Sequence, residues 1–182
     1  MSFASYVFGA AVAFGLGSLL TLSACGSPDI AVYKEQKPTL NIRDYLNGSL
    51  KAFGIIEDFT GKVVSRFTVT LVGSWQGNVG TLKEDFLFDD GKTEQRIWTI
   101  TLDESGHMKG TAHDVVGEAI GSQSGNAFNM TYTLRRDING RVMNFSMDDW
   151  MYLVDEKHLI NKTRMKKFGI TVATLSIGFY KE

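Results

Sequence analysis

From about Leu46 onward, apolar and polar residues alternate with a period of two, broken by turn signals every ten to fifteen residues. Phe67, Val69, Leu71, Gly73 and Trp75 share one face of a strand, with Arg66, Thr68, Thr70 and Ser74 on the other. Trp98, Ile100 and Leu102 alternate with Ile97, Thr99 and Thr101. Phe128, Met130, Tyr132 and Leu134 alternate with Asn129, Thr131, Thr133 and Arg135. Met143, Phe145, Met147, Met151 and Leu153 lie on one face of a long strand, and Leu175, Ile177 and Phe179 close the pattern. Asn139-Gly140 and Asp90-Gly91 suit the positive φ of type I′ hairpins. Thr60-Gly61, Ser105-Gly106 and Ser124-Gly125 supply further turns.

The pattern predicts an all-β domain of about eight to ten strands over residues 46–182, with no long helix. Sequential hairpins with one apolar face favour an antiparallel up-and-down barrel, because closure removes exposed edges. A two-sheet sandwich is the alternative arrangement of the same strands. A membrane-spanning barrel would carry apolar residues outside, whereas these outer faces carry Lys, Arg, Thr and Asn.

The first segment follows a different rule. Met1 to Pro28 contains no charged side chain, and Tyr6 to Leu22 is an apolar run ending in Leu22-Ser23-Ala24-Cys25-Gly26. Small residues before a cleavage point suit a signal peptidase, and the cysteine directly after them resembles the lipobox of bacterial lipoproteins. That resemblance implies a signal peptide over residues 1–24, acylation of Cys25, and a lipidated N-terminus and linker over 25–45. Each buried CH₂ of an acyl chain contributes about 0.8 kcal/mol to anchoring. Gly26 lacks the Asp associated with inner-membrane retention, which points to the outer membrane with the domain facing the periplasm. The basic start of a signal peptide is missing, so an uncleaved membrane anchor is the other reading. Gly26 to Thr39 mixes polar residues with both prolines and reads as a spacer.

Composition narrows the partners. Nineteen Lys and Arg stand against twenty Asp and Glu, which leaves no basic excess for nucleic acid. A single cysteine excludes an internal disulfide and a cysteine-based metal site, and no cofactor motif is present.

Glu84, Asp114 and Asp149 fall in phase with apolar faces: Glu84 with Leu82, Phe86 and Phe88; Asp149 with Met147 and Met151; Asp114 with Met108, Ala112 and Val116. Arg96 shares the face of Trp98 and Ile100. An inward charge needs a partner or water, and Arg96 can pair with one of the carboxylates. A ligand site would then comprise Glu84, Arg96, Trp98, Asp114, Met147, Asp149 and Met151. The same residues are also explained by strand ends meeting solvent, or by a structural ion pair. Met143, Met147, Met151 and Met165 fit either an adaptable pocket or ordinary core filling. His113-Asp114 and Asp148-Asp149 are adjacent pairs whose side chains diverge on a strand. No catalytic motif is present, so the chain reads as a non-enzyme.

The stretch Asp148-Asp149-Trp150-Met151-Tyr152-Leu153, with Leu159-Ile160-Asn161 and Lys167-Phe168-Gly169-Ile170, resembles a bacterial lipoprotein family whose domain has no assigned function. Gly61-Lys62-Val63-Val64, Trp98-Thr99, Asp114-Val115-Val116-Gly117 and Ser124-Gly125-Asn126-Ala127 add to the resemblance, which covers Leu46 to the C-terminus and the lipobox. It implies a calycin-like, lipocalin-like barrel and carries over no active site. The expectation is a membrane-tethered protein holding a small apolar or lipid-like ligand. The alternative is an envelope scaffold with a filled barrel, working through exposed aromatics such as Trp150 and Tyr152.

Overall fold

Ten strands form where the alternation places them. They are β1 (Gly48–Asp58), β2 (Val63–Gln76), β3 (Val79–Phe88), β4 (Thr93–Leu102), β5 (His107–Thr111), β6 (Val115–Ser124), β7 (Ala127–Ile138), β8 (Arg141–Leu153), β9 (His158–Lys167) and β10 (Ile170–Lys181). The computed structural model describes residues 27–138 and 140–182. Cys25 and its lipobox lie outside the described residues, as does Asn139 of the expected Asn139-Gly140 turn.

Each strand pairs antiparallel with its sequence neighbours, and β1 pairs with β10 from Leu50↔Lys181 to Asp58↔Ala173. That last ladder closes the barrel and rules out the two-sheet arrangement. The inner faces of β2, β4, β7 and β8 carry the alternating residues read from the sequence: Phe67, Val69 and Leu71; Trp98 and Ile100; Phe128 and Leu134; Phe145 and Met147. On β6 the phase slips. A bulge between Val116 and Ile120, with Gly117 at φ 73°, turns Val115 toward the core in place of the expected Val116.

The Asp90-Gly91 hairpin differs from the type I′ expectation. Only Gly91 has positive φ; its N–H donates to the Phe88 carbonyl, and Phe88 donates to Lys92. A type I turn followed by a left-handed glycine has this pattern. It recurs at Asp58–Lys62 and Asp103–His107, where the leading Asp side chain also accepts backbone N–H groups.

One end of the barrel is closed by the segment before β1. Leu40, Ile42, Tyr45 and Leu46 are buried there, around a single helical turn, α1 (Ile42–Tyr45), capped by Asn41. Lys181 donates to the carbonyls of Asp44, Tyr45 and Asn47, placing a cation where the last helical carbonyls need donors. The Tyr45 hydroxyl donates to the Lys157 carbonyl at 2.9 Å. Gly73 on β2 admits the plug, since a Cβ there would collide with the Leu46 carbonyl oxygen.

The stretch read as a spacer lies along the barrel instead. Ser27 donates to Asp148 on the outer face of β8. A 3₁₀ turn, Ile30–Tyr33, then packs Tyr33 against Trp150 and Tyr152, with ring centroids 5.7 and 5.4 Å apart. Trp150 is therefore 3% exposed, which overturns its assignment to an open aromatic patch. This covering is tertiary, and strand parity carries no sign of it.

Gly73→Ala should force the plug outward or bend β2. We expect a loss of about 1–3 kcal/mol in folding free energy by chemical denaturation. Unchanged stability would mean that the plug is not seated against β2.

Candidate functional site: a cavity with a charged band

Above the plug the interior is not filled. A cavity of about 280 Å³ runs toward the opposite end of the barrel. It sits just below the range of about 300–1,000 Å³ usual for small-molecule sites. A second void of about 40 Å³ lies deeper, between Trp75, Leu82, Ile100, Phe128 and the plug residues Ile42 and Leu46. Near the mouth the main cavity is lined by Phe67, Phe86, Phe88, Phe145 and Ile177. A polar band is set into this apolar wall: Glu84, Arg96, Tyr132, Asp149, Asn161 and Thr163.

Register explains the band. Glu84 stands opposite Arg96 in the β3–β4 ladder, and Asp149 stands opposite Thr163 in the β8–β9 ladder. Each has inward neighbours two residues away, so the strand carries it inside whatever its polarity.

Of the seven residues proposed from sequence, Glu84, Arg96, Trp98, Met147, Asp149 and Met151 line the cavity. Asp114 does not. It sits in the turn between β5 and β6, in an outer cleft of about 210 Å³ that shares Phe86, Arg96 and Arg136 with the cavity wall. Its carboxylate takes two bonds from Arg96, Nε at 3.0 Å and Nη2 at 2.7 Å. Met165 also lines the cavity, while Met143 packs on the core beside it.

The Arg96–Asp114 pair closes a seam. β5 pairs with β4 only from Thr99 to Leu102, so the upper half of β4 has no strand on that side. Arg96–Asp114 and Arg136–Glu94, at 2.6 Å, span the opening where backbone bonds stop.

Sequence parity alone did not single out Tyr132, Asn161, Thr163 or Arg136 as site residues. Asn161 and Thr163 share the face of Leu159 and Met165 on β9, a signal that is present but short. Asn161 is 1% exposed; it donates to Asp149 and to the Trp150 carbonyl, and accepts from Thr163.

The electrostatics are unbalanced. Three carboxylates gather around Arg96, which gives Nε and Nη2 to Asp114. Glu84 Oε2 is buried without a hydrogen-bond partner, and Arg96 Nη1 lies 3.8 Å away. Burial, reinforced by Asp149 and Asp114 and opposed by Arg96 and the Trp98 indole, pushes Glu84 up to about 7. Burial pushes Asp149 up to about 6 against the bond from Asn161 and the charge of Arg96. For Asp114, the bonds from Arg96 outweigh burial and hold it below the usual carboxylate range. Arg96 is disfavoured by burial but held above its ordinary value by Glu84, Tyr132 and Asp114. Asp148 points outward, where Ser27, Asn129, Lys166 and Arg164 outweigh burial and lower it. The adjacent Asp148 and Asp149 therefore diverge and share no cation. Among the described residues no group of three or more His, Cys, Asp or Glu could hold a metal ion.

Unfolded, Glu84 and Asp149 titrate near about 4.3 and 3.9. Folded, both hold their protons to higher pH, so the native state binds more protons across that window. Stability therefore falls as pH rises from about 4 to 7. We expect a drop on the order of 1–3 kcal/mol, with Glu84→Gln removing the larger part of the slope. Denaturation curves across that range measure it; an unchanged slope in the variant would show that Glu84 is not held neutral.

Residues 19–181 match the family model described as "Protein of unknown function (DUF3833)". No curated protein matches the sequence. Among solved structures, the barrel is similar to the S-type phycobiliprotein lyase CPES from Guillardia theta. The TM-score is 0.56 at 6% identity, over 77% of this chain and 90% of that one. This similarity establishes the fold, a lipocalin-like closed barrel.

Proposed function

We propose that this chain, which belongs to the DUF3833 family of proteins of unknown function, holds one small amphipathic molecule inside its barrel. The observation that carries the reading is the cavity: about 280 Å³, apolar toward the mouth, with a polar band set into its wall. A filled scaffold would pack this space, because an apolar void forfeits dispersion contacts and costs stability. The ligand's apolar part lies against Phe67, Phe86, Phe145 and Ile177, and its polar end meets Glu84, Arg96 and Asp149. The likeness to a phycobiliprotein lyase supports a ligand-handling barrel. It transfers no reaction, and we propose binding rather than catalysis.

The proposal includes tethering to the periplasmic face of the outer membrane through acylated Cys25. The lipobox supports it, as do the apolar residues at the open end. Phe59 and Phe168 occupy hairpin tips there and are 79% and 93% exposed. Among the described residues no helix is long and apolar enough to cross a membrane.

Two experiments test these parts separately. Native mass spectrometry with organic extraction, on the full-length chain released in mild detergent, should reveal a co-purifying adduct. Val69→Trp, which fills the cavity, should cut its occupancy at least about tenfold while the fold is retained. A mass free of any adduct for both proteins would return the barrel to the scaffold reading. For the anchor, Cys25→Ser should move the protein from the membrane to the soluble fraction. Unaltered acylation and membrane association would refute tethering through this residue.

A further inference from the structure

The cavity's polar band is short of donors, and this bears on the ligand's chemistry. Glu84 Oε2 is a buried acceptor with no hydrogen-bond partner, and Arg96 Nη1, which faces it, stands off at 3.8 Å. A buried acceptor left unmade costs about 1–3 kcal/mol, so such atoms usually have a partner. Trp98 and Tyr132 line the wall without bonding Oε2, and the other donors are spent elsewhere. Arg96 spends Nε and Nη2 on Asp114, and its guanidinium lies 5.8 Å from the ring centroids of both Phe86 and Trp98. Arg136, the other cation in the wall, is bound to Glu94 at 2.6 Å. Asn161 gives its amide hydrogens to Asp149 and the Trp150 carbonyl, and Thr163 donates to Asn161. The wall residues from β1, β2 and β10 are apolar: Ile56, Val69, Leu71 and Ile177 among them.

An anionic head group fits this site badly. Arg136 is bound to Glu94, Arg96 gives Nε and Nη2 to Asp114 and turns Nη1 toward Glu84, and Glu84, Asp114 and Asp149 would repel a further negative charge across a low-dielectric space. A donor head group fits on three counts. It satisfies Glu84 Oε2, it lies between carboxylates of β3 and β8, and as a cation it offsets their excess charge.

We infer that the molecule held in this barrel is an amphiphilic amine, with its nitrogen donating to Glu84 and Asp149 and its apolar part directed toward the mouth. The inference rests on the reading that the cavity holds a ligand, and it adds the chemical class.

The test uses the full-length chain in phosphatidylcholine nanodiscs, with empty nanodiscs as the blank. Octylamine, octanoic acid and octan-1-ol share one chain and differ only in the polar end. Calorimetric titration at neutral pH should give octylamine at least about a tenfold affinity advantage over octanoate, roughly the cost of one buried charge-assisted bond. Glu84→Gln should reduce that advantage to less than about threefold, while octanol binding persists and reports an intact cavity. Octanoate binding as tightly as octylamine would overturn the amine assignment and leave the ligand-holding reading in place. If none of the probes binds but a co-purifying adduct exists, its polar group decides: a nitrogen supports the inference, a carboxylate or phosphate overturns it. If no probe binds and no adduct is found, the ligand-holding reading fails, and the inference with it.

Discussion

Closure of the sheet by the β1–β10 ladder determines how much room the interior has. Barrel diameter grows with strand number, and eight strands leave an interior that side chains can just fill. Ten strands leave more. The chain uses part of this excess for a plug: the α1 segment enters one end and buries Leu40, Ile42, Tyr45 and Leu46. What remains above the plug is the cavity. Its position follows from having one end occupied by chain and the other bounded only by hairpins.

Closure by backbone bonds is nevertheless incomplete. β5 is five residues long and leaves the upper half of β4 unpaired on one side. A row of open N–H and C=O groups would normally invite another strand or water. Here side chains span the seam, and Arg96 does so while also forming part of the cavity wall. The same guanidinium thus holds the barrel's side and sets the charge inside it. This dual role explains why Asp114 belongs to the site's electrostatics without touching the cavity.

Much of this was legible in the alternation, because period-two strands with one buried face have little freedom to slip. Glu84, Arg96, Trp98, Met147, Asp149 and Met151 lie inward because their strands keep register with Phe86, Ile100 and Phe145. What could not be read has physical reasons. Asn161 and Thr163 are polar residues at inward positions of β9, and polarity alone suggests the outer face. The plug is too short to show a period. The burial of Trp150 depends on Tyr33, 117 positions away in sequence, and parity along β8 says nothing of a segment laid over it. The positive φ at Gly117 shifts the phase of β6 where simple alternation runs straight on.

The charged band raises the question of why a barrel should carry it. Native stability is about 5–15 kcal/mol in total. A buried carboxylate without a partner, or held protonated by burial, removes a substantial share of that. A Leu or Met at position 84 would pack among Leu82, Phe86 and Trp98 without the penalty. If the band were only structural, Arg96–Asp114 would suffice, since that pair alone spans the seam with good geometry. Glu84 and Asp149 contribute nothing to that pair and add repulsion to each other. Their burden on the empty barrel is relieved by a donor placed between them. The fold alone has no need of these two carboxylates; a bound molecule that brings its own hydrogen does.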